Sequence, residues 1–131
     1  MKLRATIAIL TLIIAYDTSG QTIGDDINFI RSERVGGEER YYEDGLTYEF
    51  YDKATNLTWL YFLDSDSVCQ QIAIHPESHL AKTQFISFLN NEMLPSDGKH
   101  WFFERENEEV LSVTLQDDER SGSLFLIGKL E

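Results

Sequence analysis

Six strand-like runs, joined within two groups of three by links of hairpin length, constrain the fold of this chain more than any other feature. Runs that alternate apolar and polar residues, or that are apolar throughout, predict β-strands, and short polar links between them predict antiparallel pairing. The predicted strands are Leu46–Asp52, Leu57–Asp64, Val68–Ile74, His100–Glu106, Val110–Gln116 and Ser123–Leu130.

Two segments have helical rather than strand-like spacing. Ile23, Ile27 and Ile30 recur at the helical period, and Gly36-Gly37 follows as a stop signal. The second segment has Ser78 as a candidate N-cap, and its apolar stripe up to Pro95 consists of Ala81, Phe85, Phe88, Leu89 and Met93. The order α-βββ-α-βββ predicts an α+β domain, a two-layer structure with an antiparallel sheet of about six strands and two helices on one face.

Side-chain alternation also predicts which residues point toward the core. Leu57–Leu63 is apolar on both faces and should be a central strand. In the last strand Leu124, Leu126 and Leu130 are expected to point inward. In Val68–Ile74, the residues Val68, Ile72 and Ile74 share one face, so the same alternation places Cys69 on the other, with Gln71, Ala73 and His75.

The first twenty residues have the order of a secretory signal peptide. Lys2 and Arg4 precede the apolar run Ala5–Ala15, and small and polar residues follow it. Eleven helical residues rise only about 16 Å, whereas a membrane-spanning helix needs about twenty residues. We therefore expect residues 1–20 to be a signal peptide cleaved after Gly20, with Ala15 as the alternative site, no stable membrane insertion afterwards, and a secreted or periplasmic single domain over residues 21–131.

Charge and cysteine content narrow the classes of partner. The net charge of −12 argues against nucleic acid and against anionic membrane surfaces, which both require a concentrated cationic face. The same charge favours a soluble monomer. The single cysteine cannot form an intramolecular disulfide, so the fold depends on its apolar core.

No motif in the sequence predicts a catalytic residue, a cofactor or a metal site. Cys69 is expected to be a half-buried thiol whose pKa is raised by Asp64 and Asp66, and therefore not a nucleophile. His75 and His79 flank a proline turn instead of lying at i and i+4 of one helix, so their directions do not favour a shared metal ion. Phosphate-binding glycine loops and serine elbows are absent from the sequence.

Several short motifs resemble a known group of proteins. They comprise Gln21-Thr22 after the signal-like segment, the stretch LTYEFY, the set Trp59, Tyr61 and Asp64, the pair Val68-Cys69, and His100-Trp101 after the second helix. Together they are similar to small secreted proteins of unknown function from Bacteroidetes-type bacteria. The resemblance implies export and a compact α+β fold, and it carries over no catalytic residues.

Aromatic residues crowd the predicted strands, and some fall on the alternation opposite the expected core. We expect Tyr51, Leu60, Phe62 and Phe102 to lie on the sheet face without helices, together with Phe125 and Ile127. Together with the signal-like segment, these exposed apolar side chains predict an exported, non-enzymatic binding or accessory protein for an unknown protein, peptide or apolar small ligand. The predicted binding residues are Tyr51, Leu60, Phe62 and Phe102. The alternative is a small secreted hydrolase with a site at His75, His79 and His100. Burial of both sheet faces would leave no binding surface.

Overall fold

The computed structural model describes residues 23–34, 37–95, 97–104, 109–118 and 122–130. The predicted signal peptide and its two candidate cleavage sites lie outside these residues. Within the described ranges, no helix is both long enough and apolar enough to cross a bilayer.

The described chain forms two helices and eight strands in the order α-ββββ-α-ββββ. The first helix and its strands are α1 Ile27–Glu33, β1 Gly37–Tyr41, β2 Thr47–Asp52, β3 Leu57–Leu63 and β4 Cys69–Pro76. The second group is α2 His79–Glu92, β5 Leu94–Pro95, β6 His100–Glu104, β7 Val110–Asp118 and β8 Gly122–Lys129.

All described strands belong to one antiparallel sheet with the order β1-β2-β3-β4-β8-β7-β6-β5. Each helix is therefore followed by a meander of four strands, and the two meanders join where β4 pairs with β8. The predicted α+β class, antiparallel sheet and two helices are confirmed. The strand number and element order need correction, because β1 and the two-residue β5 were not predicted.

The two additional strands carry weak sequence signals. The sequence of β1, GEERY, has no apolar alternation, and all five of its residues are exposed. The sequence pattern predicts a helix stop at its first residue, but α1 ends at Glu33, and Gly37 instead pairs with β2. A Cβ atom at Gly37 would lie 2.0 Å from the carbonyl oxygen of Tyr51, so the close approach of the two strands requires glycine.

Local capping positions both helices. The Ser78 hydroxyl accepts a hydrogen bond from the Ala81 amide at 3.1 Å, which confirms the predicted N-cap of α2. At α1, the Asp26 carboxylate accepts from the Asn28 amide at 2.7 Å, so the helix starts later than predicted. Ile23 is buried in the core but precedes the helix, because Gly24 adopts a left-handed φ of 92° between them.

One face of the sheet and the apolar sides of both helices form the core; we call this sheet face the inner face. The Phe85 ring of α2 packs edge-on against Trp59 of β3 at 6.4 Å and against Phe125 of β8 at 4.8 Å. Ile27 and Ile30 bring α1 to the same cluster. Both described helices thus cover the inner face.

The orientation of β8 is opposite to the prediction. Phe125 and Ile127 are 0% and 1% exposed on the inner face, whereas Leu124 and Leu126 lie on the opposite, outer face. The reason is register, since Ile72 of β4 lies directly opposite Ile127, and direct partners share a face.

The predicted position of Cys69 is also wrong. Leu63 pairs with Cys69 while Phe62 pairs with Gln71, so one extra residue lies in β4 at this point. This bulge reverses the side-chain alternation and places Cys69 on the inner face. Its side chain is fully buried instead of half-buried.

Candidate functional site

A patch of apolar side chains lies at the centre of the outer face. Leu60 on β3 is directly opposite Ala73 on β4, and Ala73 is directly opposite Leu126 on β8. Two further side chains lie on the same face at opposite ends of this row. Phe62 is two residues after Leu60 on β3, and Leu124 is two residues before Leu126 on β8. The four large side chains are partly exposed, while Ala73 is only 2% exposed. We call these five residues the outer-face patch.

The structure brings together three of the four predicted binding residues. Leu60 and Phe62 belong to the outer-face patch, and Tyr51 on β2 lies diagonally beside Leu60. All three side chains are partly exposed. Phe102 is also partly exposed on the outer face, but β7 lies between β6 and β8, the nearest strand of the patch, a separation of roughly 10 Å at about 4.8 Å per strand. Phe102 therefore lies apart from the patch.

Sequence reasoning missed Ala73, Leu124 and Leu126 as members of this surface. Alternation alone predicts Leu124 and Leu126 in the core and Phe125 and Ile127 on the surface, and this prediction is wrong because β8 is apolar on both alternations. Only the pairing of β8 with β4 distinguishes the two sets. No local signal in the sequence could have made that choice.

Most of the other strand aromatics belong to the core. Tyr48, Trp59 and Tyr61 are fully buried, and their rings form a stack on the inner face with centroid distances of 5.7 and 6.2 Å. Trp101 is also fully buried. The high aromatic content of the strands thus serves mainly for packing, and the exposed surface is narrower than the composition indicates.

Hydrogen-bonded polar groups border the outer-face patch. Glu49 lies directly opposite Leu60, and its carboxylate accepts a hydrogen bond from the Tyr42 hydroxyl at 2.9 Å. This bond raises the pKa of Tyr42, because ionising the phenol would remove the donated proton. On the other side, the Thr58 hydroxyl donates to the Glu77 carboxylate at 2.6 Å. The border is therefore ordered and acidic.

The three histidines of the alternative hydrolase do not meet. His75 and His79 line a concavity of about 210 Å³ with Glu77 and Lys82. His100 is on β6, three strand positions from β4, which places it roughly 14 Å from His75 at about 4.8 Å per strand. His100 instead contacts the carboxylate of Asp97 at 2.9 Å.

The cysteine is also unsuited to nucleophilic chemistry. Burial raises the pKa of the Cys69 thiol to about 12, with a smaller contribution from the charge of Asp25. The predicted direction is confirmed, but the cause differs, because desolvation dominates instead of repulsion by Asp64 and Asp66. A thiol that remains protonated at neutral pH is a poor nucleophile.

A second concavity, of about 530 Å³, lies between α1 and β1. Its two cations have partners within the chain. Arg31 forms an ion pair with Glu39 at 2.8 Å, while Arg34 hydrogen-bonds the Tyr61 hydroxyl and stacks over the Trp59 ring at 4.3 Å. These contacts attach α1 to the sheet and explain the position of both guanidinium groups by packing.

The described part of the chain contains no group of three or more His, Cys, Asp or Glu side chains that could hold a metal ion. No family model, curated protein or solved structure matches the sequence or the fold of this chain.

Proposed function

We propose that this protein is an exported, non-enzymatic binding or accessory protein whose binding surface is the outer face of its sheet. The observation that carries the proposal is the outer-face patch, a contiguous set of partly exposed apolar side chains on the face that neither described helix covers. Open faces of antiparallel sheets are usually polar, and exposed apolar patches on soluble proteins are typical of interaction surfaces.

The patch is more suited to binding than to catalysis. Its members are Leu, Phe and Ala, which offer contact area but no acid, base or nucleophile. The surrounding hydrogen bonds, including that from Tyr51 to the side-chain oxygen of Asn56 at 2.6 Å, hold the border in place. Such preorganisation favours binding, because fewer side chains lose freedom when a ligand arrives.

The hydrolase alternative has less support. The separation of His75 from His100 leaves the proposed histidines without a common reaction centre. Export rests on the order of charged, apolar and small residues over residues 1–20 and on the resemblance to secreted proteins. Recovery of a soluble native protein that begins at or near Gln21 would support this part of the proposal, whereas an intact Met1 in a membrane pellet would contradict it.

Site-specific photo-crosslinking tests the binding surface. A benzoylphenylalanine at Phe62 replaces an outer-face ring, and the same residue at Phe29 provides a matched control on α1, where the native ring is 52% exposed. In cells that produce the protein, we expect a discrete adduct from position 62 and none of the same mass from position 29. Equal adducts at both positions, or none at position 62, would contradict the proposal.

A further inference from the structure

We infer that the partner of the outer face is a cationic amphipathic peptide segment, whose apolar side chains contact the outer-face patch and whose Lys or Arg side chains contact the carboxylates around it. This inference rests on the proposed function and adds the chemical class of the ligand. It follows from the distribution of charge over the two faces of the sheet.

Carboxylates outnumber cations on the outer face. Its charged side chains on the described strands are Glu38, Glu49 and Glu104, with Arg40 as the only Lys or Arg at the outer positions of those strands. Glu77 joins them through its hydrogen bond from Thr58. Over the whole outer face, four carboxylates therefore face one guanidinium; Glu104 on β6 lies apart from the patch, whereas Glu49 and Glu77 lie on its border.

Three of the other described cations form ion pairs with carboxylates elsewhere. Lys82 pairs with Asp117 at 2.9 Å, and Lys129 pairs with Glu109 at 3.1 Å. Within the described residues, no Lys or Arg forms an ion pair with Glu49 or Glu77, although Arg40 lies directly opposite Glu49 on β1 and the His75 ring is 3.9 Å from the Glu77 carboxylate. Both carboxylates on the patch border can therefore accept a further contact from an external cation. Glu49 also lies directly beside Leu60, which would place an incoming cation next to apolar side chains.

The same charges disfavour other occupants. A second copy of this chain would bring like-charged faces together, each on a protein with a net charge of −12. An anionic lipid surface or a nucleic acid would be repelled for the same reason. A neutral apolar ligand would contact the patch but would gain nothing from the carboxylates around it. A cationic amphipathic segment satisfies both features of the surface.

Gly128 is a suitable position at which to test whether the outer face attracts a cationic peptide. It lies on the outer face, directly opposite Ser112 and two residues from Leu126, and a Cβ atom there would meet no other atom within 4 Å. Side chains introduced at this position project over the surface without disturbing the core. Gly128→Glu and Gly128→Lys therefore add similar bulk but opposite charge.

The probe is a display library of random peptides of about 14 residues, selected against the immobilised full chain. We expect the enriched peptides to combine apolar residues with an excess of Lys and Arg over Asp and Glu. A representative peptide should bind Gly128→Lys about tenfold more weakly than Gly128→Glu, because two unit charges of difference act over a few ångströms at a solvated surface. Its affinity should fall as salt rises.

The control is the corresponding pair Leu80→Glu and Leu80→Lys on α2, where the native side chain is 65% exposed. This pair alters net charge equally but leaves the outer face unchanged, so its two affinities should differ much less. An equal effect at both positions would show that net charge alone explains the attraction, and this result would overturn the inference.

The remaining outcomes separate the inference from the proposed function. If the selected peptides are neutral or acidic and the Gly128 variants weaken their binding, or if both variants weaken binding of the selected peptides equally, the partner is not cationic although the outer face still binds. If the selected peptides bind both variants as tightly as the unchanged protein, or if no peptide is enriched, the outer face is not a peptide-binding surface. The proposed function then fails for this class of ligand as well.

Discussion

The buried thiol predicts that this protein loses stability in mild alkali through one side chain. Cys69 is 0% exposed, and burial raises its pKa in the folded state to about 12. In the unfolded chain an ordinary thiol has a pKa of about 8.5. Because the pKa of Cys69 is raised in the folded state, the stabilisation that this thiol contributes is fully present below about pH 8.5 and is lost as pH rises toward 12.

The size of this effect follows from the difference between the two pKa values. Each unit of pH above the unfolded pKa costs about 1.4 kcal/mol while the folded thiol stays protonated. At pH 10 the loss attributable to Cys69 is therefore about 2 kcal/mol. At pH 7, replacing Cys69 by Ala should cost about 1 kcal/mol in lost packing. The two proteins should become equally stable near pH 9, and the variant should be more stable at pH 10.

Guanidinium chloride unfolding of the unchanged protein and of Cys69→Ala, at intervals from pH 7 to pH 10, measures this crossover. Tyrosines and lysines titrate in both proteins, so their contributions cancel in the difference. A difference in unfolding free energy that stays constant from pH 7 to pH 10 would refute the reasoning, because the folded protein would then accept a thiolate. Rapid reaction of the native thiol with a thiol reagent at pH 7 would refute it independently.

Three further perturbations follow from the described contacts. Gly128→Thr should raise the free energy of unfolding by about 0.5–1 kcal/mol in the same assay, because glycine weakens a strand and the added side chain meets open space; a loss of stability would show that the position is crowded. Arg34→Ala should lower it by about 2 kcal/mol through lost packing on the Trp59 ring, and an unchanged value would mean that α1 is held by its isoleucines alone. The pKa of Glu39 is lowered by its hydrogen bond from Arg31, so its contribution is present at neutral pH and is lost as pH falls below about 4. Glu39→Gln should flatten the decline in unfolding free energy between pH 5 and pH 2, and an unaltered decline would contradict this assignment.

Local patterns in the sequence determined most of the secondary structure. The six predicted strands and α2 are present, because alternation, polar turns and the Ser78 cap act within a few residues of one another. The pattern failed for the two edge strands, because β1 has almost no apolar residues and β5 is only two residues long. Their place in the sheet depends on neighbouring strands and not on their own side chains.

The candidate site depended on information that the sequence lacks. Alternation shows that a strand has two faces, but it does not show which face meets the core when both are apolar. In β8, the pairing of Ile127 with Ile72 placed Leu126 outside, and in β4 a bulge turned Cys69 inward. The first outcome follows from contact between strands far apart in the chain, and the second from the way in which β4 pairs with its hairpin neighbour β3. The period of a strand is a local property, whereas its facing and register are fixed by the burial of the whole sheet against its helices.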